Sequence, residues 1–298
     1  MGYRIGNLEL KSRVLLAPML EPNDIAFRLL CKRAGCGLTY TGMVSSLSKK
    51  KLDLDDKPGL QLFGNSSEGI ADFMKRYDSE VSLWDFNLGC PSKLSRKSGH
   101  GAFMSGELKN IEEILRVMRE NTERPVTIKI RKSDYAFDIL EIAERVGVDA
   151  LCVHARTVGQ GYSGEVDYDF ALKVKAKTSL PVIFSGILKG MPSVQMASAN
   201  ADRVGNVERI NIKRILEDFD FVMIGRAAIG KPGIFGGGVE VGFSEYLKLA
   251  KKYKLFFRQI KYQAMNFTKG VVGGKNLREA LVEAGDIESV ETIMGKNK

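Results

Sequence analysis

The chain is poor in metal-ligating and disulfide-forming side chains. Four cysteines (Cys31, Cys36, Cys90 and Cys152) and two histidines serve 298 residues, and no CxxC pair occurs. These numbers argue against a disulfide framework and against a structural zinc, so no metal is expected. Cys31, Cys36 and Cys152 read as small buried apolar side chains. No apolar run approaches the roughly 18 residues that a membrane span requires. The stretch Met1-Gly-Tyr-Arg-Ile-Gly6 lacks the apolar segment and cleavage site of a signal peptide, and Gly6 misses the myristoylation pattern. A cytoplasmic protein with no membrane partner is expected. Internal repeats, low-complexity tails and a separate dinucleotide-binding motif are also missing. Nothing calls for an oligomer, and a monomer is the default.

What is present is a chain with 44% apolar residues, enough for a large core, and a net charge of +9. The excess is uneven. Residues 244–298 hold 11 Lys and Arg against 6 Asp and Glu. A basic C-terminal segment favours a polyanionic partner, nucleic acid first; the alternative is a solvated basic helix that promotes solubility.

Short apolar runs alternate with helical periodicity. Val14–Ala17, Leu38–Thr41, Gly59–Phe63, Ser82–Asn87, Val126–Ile130, Ala150–His154, Pro181–Ser185 and Phe221–Ile224 are predicted as eight strands. Several are apolar on both faces, as buried parallel strands are. Helices are predicted over Asp24–Ala34, Ser67–Asp78, Ile111–Asn121, Phe137–Val146, Asp169–Thr178 and Arg209–Glu217, with a loop at Leu47–Lys57 where one helix would be. Eight strand–helix units fit an α/β fold, the (β/α)8 TIM barrel, with a doubly wound open sheet as the alternative. Gly236-Gly-Gly238 reads as a linker, after which the pattern is purely helical: one long amphipathic helix over Phe243–Thr268, then Asn276–Glu283 and Ile287–Met294. The expected division is a barrel over 1–238 and a small C-terminal helical domain over 239–298.

Working residues of such a barrel lie at the C-terminal ends of its strands. Here those ends carry Ala17-Pro18-Met19, Gln61, Asn87 and Cys90, Lys129 and Arg131, His154 and Arg156, Ser185-Gly186, and Gly225-Arg226. Gly186 and Gly225-Arg226 fall where this fold commonly binds phosphate, because glycine lets backbone N–H groups approach an anion and Arg226 adds a bidentate donor. Each residue also has a plainer reading: a structural histidine, a snorkelling lysine, a turn glutamine or a buried turn cysteine. Their joint occurrence favours a site.

The same stretches resemble the dihydrouridine synthases, flavoenzymes that reduce uridine in tRNA. The matching blocks are Ala17-Pro-Met19 with Phe27-Arg28, Gln61-Leu-Phe-Gly64, Asp85-Phe-Asn-Leu-Gly-Cys-Pro-Ser-Lys93, Gly99-His-Gly-Ala102, Val126-Thr-Ile-Lys-Ile-Arg131, His154-Ala-Arg-Thr-Val-Gly-Gln-Gly-Tyr-Ser-Gly164 with Asp167, Val222-Met-Ile-Gly-Arg226 and Pro232-Gly-Ile-Phe235. They run in family order over residues 14–235. The departures are Ser185-Gly-Ile187 in place of the usual Asn-Gly-Asp-Ile, Ala155 for a glycine, Gly233 for a tryptophan, and a short tail that matches loosely around Leu277-Arg278.

The resemblance implies FMN as cofactor, NADPH or NADH as reductant, tRNA as partner, and reduction of the C5–C6 double bond of uridine. It places Ala17, Pro18, Met19, Gln61, Lys129, His154, Ser185, Gly186, Gly225 and Arg226 on the flavin. Asn87, Arg131, Lys93 and Arg156 fall on the substrate. Reduction adds a hydride at C6 and a proton at C5, and Cys90 is the candidate acid: a thiol of ordinary pKa, about 8.5, is protonated at neutral pH. The basic residues Lys93, Arg96 and Lys97 behind it are expected to face RNA phosphates, on a loop over 92–101 that orders only when tRNA binds. The basic tail would dock the RNA. Two other readings share these features: a barrel flavoenzyme of a small molecule, similar to dihydroorotate dehydrogenase, and an RNA-binding protein without flavin.

Overall fold

A computed structural model describes residues 2–186, 212–239 and 241–295. A small antiparallel hairpin, β1 (Tyr3–Ile5) and β2 (Leu8–Leu10), precedes the main sheet. The sheet holds β3 (Val14–Leu16), β4 (Val44–Ser45), β5 (Gly59–Phe63), β6 (Leu83–Leu88), β7 (Val126–Arg131), β8 (Ala150–His154), β9 (Val182–Ser185) and β10 (Phe221–Ile224). Every pairing in it is parallel, in the order β3-β10-β9-β8-β7-β6-β5-β4.

Residues 37–41 close this sheet on itself. Gly37 N donates to Val14 O and Leu16 N to Leu38 O, both at 2.9 Å, while Gly59 N donates to Thr39 O at 2.8 Å and Thr41 N to Gly59 O at 2.9 Å. The predicted strand Leu38–Thr41 is therefore in place as a ladder, though it is irregular, with one bridge at Tyr40–Gly59. Its regularity is lost at Gly42, where a Cβ would lie 2.7 Å from Met19 O; the chain squeezes past the loop after β3 and resumes pairing as β4. The barrel reading holds over the open-sheet alternative.

Alternation along the strands decides what the barrel encloses. Leu15, Leu38, Tyr40, Leu83, Ala150, Cys152, Ile183, Phe221 and Met223 form one buried cluster inside, sealed at the N-terminal end by Ile5 and Leu10 of the hairpin. Further along the same positions the side chains turn polar: Leu83 gives way to Asp85 and Asn87, Cys152 to His154, and Ile183 to Ser185. The outward residues, among them Trp84, Phe86, Ile128 and Phe184, pack under the helices in a second, larger cluster.

The helices are α1 (Ile25–Arg33), α2 (Ile70–Tyr77), α3 (Lys93–Ser98), α4 (Leu108–Glu120), α5 (Ala136–Val146), α6 (Tyr168–Ala176), α7 (Ile212–Asp218), α8 (Phe243–Lys252), α9 (Phe257–Phe267), α10 (Gly274–Glu283) and α11 (Ile287–Gly295). Six of them realise the predicted barrel helices, with ends shifted by a turn or less. Ile187 and residues 209–211 of those predictions lie outside the described residues.

Two predictions fail. The long helix over Phe243–Thr268 is two helices, α8 and α9. The chain turns at Lys254, which takes φ +52°, and Leu255 N closes back on Ala250 O at 3.0 Å. The stretch 92–101 is not a loose loop either. It holds α3, capped at Ser92 by a 3.0 Å bond from Ser95 N and ended at Gly99 in the left-handed conformation that glycine tolerates.

The loop predicted at Leu47–Lys57 is present, and buried charge pins it. Arg28, almost fully buried, grips Asp56 with two bonds (Nε to Oδ2 at 2.9 Å, Nη2 to Oδ1 at 3.0 Å), and Thr39 Oγ1 adds a third at 2.6 Å. Asp24 caps α1 by accepting from Phe27 N, and its other oxygen accepts from Tyr246 of α8 and Gln263 of α9. That carboxyl is half-buried. Burial raises its pKa despite these bonds.

Candidate active site

The polar strand ends meet around one cavity of about 790 Å3, within the range that holds small-molecule cofactors. Of the predicted site residues, Ala17, Pro18, Met19, Gln61, Asn87, Cys90, Lys129, Arg131, His154, Arg156, Ser185, Gly186, Gly225 and Arg226 all line it. Lys93 does not: it sits exposed on the first turn of α3.

Cys90 is half-buried, whereas Cys31, Cys36 and Cys152 are buried, as expected. Burial pushes the thiols of Cys36 and Cys152 up to about 12, so both stay inert. The Cys90 turn is strapped from both sides. Ala102 N donates to Cys90 O at 3.1 Å, and Asn87 Oδ1 accepts from Gly89 N at 3.1 Å and Cys90 N at 3.0 Å. Asn87 Nδ2 donates to Gln61 Oε1 at 2.7 Å, and Gln61 Nε2 donates to Asp85 Oδ2 at 2.6 Å. Both amides read from sequence as ligand-facing are thus spent largely within the protein, on each other, on Asp85 and on the backbone of the Cys90 turn.

The arginines show the same inward use. Arg156 donates to Gly164 O from Nε (3.1 Å) and Nη2 (3.0 Å), to Gly186 O at 3.2 Å and to His154 Nε2 at 3.1 Å. Arg131 donates to Gly89 O at 2.9 Å from Nε, and to Gly161 O at 2.7 Å and Thr157 O at 3.2 Å from Nη1. Arg156 therefore works on the protein itself, and among the described residues Nη2 of Arg131 has no hydrogen-bond partner.

His154 is neutral. Burial first, then Lys129, Arg131, Arg156 and Arg226 around it, drive its pKa down to about 2. Arginine can only donate, so Nε2 of His154 accepts and the ring proton sits on Nδ1. Gly186, at φ +110°, packs so closely that a Cβ there would lie 2.7 Å from His154 Cδ2.

Tyr162 is a cavity residue that strand-end position does not single out. It lines the cavity with its ring stacked on His154 at 6.2 Å, between the guanidinium groups of Arg226 (4.8 Å) and Arg131 (5.5 Å). Arg226 Nη2 also donates to Tyr162 O at 2.7 Å. A tyrosine in a loop carries no periodic signal; only the fold brings it back over the strand ends.

The donor set fits FMN. Among the described residues, Lys129, Arg131, Arg156 and Arg226 against the single carboxylate of Glu21 give the lining the positive balance a phosphate monoester needs. Neutral His154 offers an N–H, and Lys129 stands in register between Asn87 and Cys152 on the neighbouring strands. Among the described residues no cluster could hold a metal ion, and no helix is long and apolar enough to cross a membrane.

Comparison with known proteins agrees with this geometry. The family model described as dihydrouridine synthase matches residues 15–287. Over 251 residues the chain is 31% identical to tRNA-dihydrouridine synthase B of Pseudomonas putida, covering 78% of this chain and 70% of that protein. It is 32% identical over 249 residues to tRNA-dihydrouridine synthase B of Escherichia coli, covering 78% and 73%. Among solved structures, a mutant of morphinone reductase in complex with tetrahydroNAD shares the fold at a TM-score of 0.51, with 13% identity over 82% of this chain and 93% of that one. With a family match across nearly its whole length and a barrel that gathers the family's strand-end residues, this chain belongs to the dihydrouridine synthase family of flavin-dependent oxidoreductases.

Proposed function

We propose that the protein is a tRNA-dihydrouridine synthase in which Cys90 is the acid. The observation that carries this reading is the thiol itself: half-buried, at the wall of a cationic cavity, its turn fixed by Asn87 and Ala102. FMN, when bound, supplies the hydride that adds at C6 of the uracil ring, regenerated by NADPH or NADH. Cys90 delivers the proton to C5, and the thiolate left behind takes a proton from solvent. Lys129 holds positive charge beside the flavin, where it favours the anionic reduced form. His154 donates from Nδ1; Gln61, Ala17, Pro18, Met19, Ser185 and Gly186 bound the ring and ribityl chain, and Gly225-Arg226 hold the phosphate.

On the substrate side, Arg131 Nη2 and the remaining N–H of Asn87 face uracil carbonyl oxygens. Arg156 acts through His154 and Gly164 rather than on the base. Lys93, Arg96 and Lys97 on α3 meet backbone phosphates, together with the basic helices of 239–298, which we take as the RNA-docking domain. A uridine within folded RNA must be turned out to enter the cavity. The chain acts as a monomer in the cytoplasm.

The test is anaerobic. Reduced holoenzyme is mixed with unmodified tRNA and flavin reoxidation is followed by absorbance. Wild type reoxidises rapidly, and Cys90→Ala is slowed by on the order of 100-fold or more while still accepting electrons from NADPH. Reoxidation of wild type by a small enone but not by tRNA would instead support a small-molecule reductase.

A further inference from the structure

A buried carboxylate lies at the heart of the site. Asp85 is 1% exposed, at an inward position of β6 one step below Asn87. Its Oδ1 accepts from Thr127 Oγ1 at 2.6 Å and its Oδ2 from Gln61 Nε2 at 2.6 Å. Burial lifts its pKa to about 6, and those two bonds with the nearby Lys129 hold it from rising further, so the group is ionised at neutral pH.

An ionised carboxylate can only accept. The end of Gln61 that faces it is therefore the amine. Gln61 Oε1 is then the atom facing Asn87, which must answer with Nδ2. Asn87 Oδ1 is left for the backbone N–H groups of Gly89 and Cys90, which can only donate. Acceptor at one end and donors at the other permit a single assignment for both amides. Counting what remains, Asn87 has filled both lone pairs of Oδ1 and keeps one N–H, so it can offer the ligand a donor and no acceptor.

We propose that Asp85 is a positioning residue: through Gln61 and Asn87 it fixes the hydrogen-bond polarity of the cavity wall and holds the turn that carries the Cys90 thiol. It also supplies the negative charge that partly offsets Lys129 beside the cofactor. The atom that docks on Asn87 is consequently a carbonyl oxygen, and a ring N–H placed there is rejected. This rests on the dihydrouridine synthase reading for its substrate, but its first two readouts do not involve RNA.

Asp85→Asn keeps the size of the side chain and drops its charge and its fixed polarity. In the flavin-free protein, alkylation by iodoacetamide reports Cys90, since the other three thiols are buried. Alkylation is expected to be at least threefold faster in the variant. In holoenzyme the flavin midpoint potential moves positive, because Lys129 is less compensated. Reoxidation by tRNA slows about tenfold, the loss expected when a charge-assisted hydrogen bond becomes a neutral one. Wild-type alkylation rate and potential in Asp85→Asn would overturn the proposal. Should that variant fail to fold, Gln61→Leu decides, because it removes the link between Asp85 and Asn87: faster alkylation of Cys90 in the flavin-free protein supports the relay, and a wild-type rate overturns it. Failure of wild type itself to respond to tRNA would sink the activity reading and leave the Asp85 result standing.

Discussion

Two buried groups at the site titrate in opposite senses, which gives a sharp expectation for acid stability. His154 is held neutral in the folded state, with a pKa of about 2 against 6.5 in an unfolded chain. Below pH 6.5 the unfolded state binds a proton that the folded state refuses, so stability falls as pH drops. Asp85 behaves the other way: its folded pKa of about 6 lies above the ordinary 3.8, so between pH 6 and 4 the folded state binds the extra proton and stability rises as pH drops. One proton over two pH units, allowing for incomplete titration at the ends, is about 2 kcal/mol for each group. In wild type the two nearly cancel. His154→Gln keeps an acceptor for Arg156 and removes the titration; relative to wild type it should gain about 2 kcal/mol between pH 6 and pH 4. Asp85→Asn should lose about as much over the same interval. Urea unfolding of the flavin-free protein at pH 6, 5 and 4 measures both, and removing the flavin keeps ligand linkage out of the comparison. Identical pH dependence in all three proteins would show that neither group is buried as described.

Arg28→Met strands the carboxylate of Asp56, which is fully buried, and should cost about 3–5 kcal/mol, whereas the double variant Arg28→Met with Asp56→Leu should cost clearly less; thermal unfolding of both variants checks this. At Gly186 the positive φ and the 2.7 Å approach to His154 leave no room for a side chain, so Gly186→Ala should weaken FMN retention about tenfold or more, read by equilibrium dialysis. Affinity for tRNA should fall steeply between low and moderate salt for wild type and less steeply when Lys93, Arg96 and Lys97 are all replaced by glutamine, measured by filter binding in a salt series.

The barrel was legible because buried parallel strands are apolar on both faces, and that signal needs no partner to be seen. The hairpin β1–β2 is not legible because three-residue strands carry too little pattern. The break between α8 and α9 was invisible because neither glycine nor proline marks it; Lys254 takes the left-handed conformation under tertiary constraint. In α3, the Ser92 cap and the Gly99 stop were both present in the sequence, but a short polar helix has no apolar stripe to announce it. The site was legible as a set of residues and not as a set of roles. Strand-end position put fourteen predicted residues on one cavity, yet what Asn87 and Arg156 do depends on which neighbours absorb their hydrogen bonds, and sequence order does not contain that. Lys93 lies off the cavity for a related reason: one residue past a turn, it follows the direction of α3.

The double use of Asp24 bears on how this protein could be re-engineered. One carboxylate closes the first helix of the barrel and, through its second oxygen, receives Tyr246 and Gln263 from two C-terminal helices. A chimera that kept this barrel and took its C-terminal helices from a relative would leave that oxygen buried and unanswered unless the graft brought donors to the same two places. Specificity transplanted by exchanging tails therefore has to carry a matched hydroxyl and amide at the seam, or the recipient barrel must give up Asp24 with it.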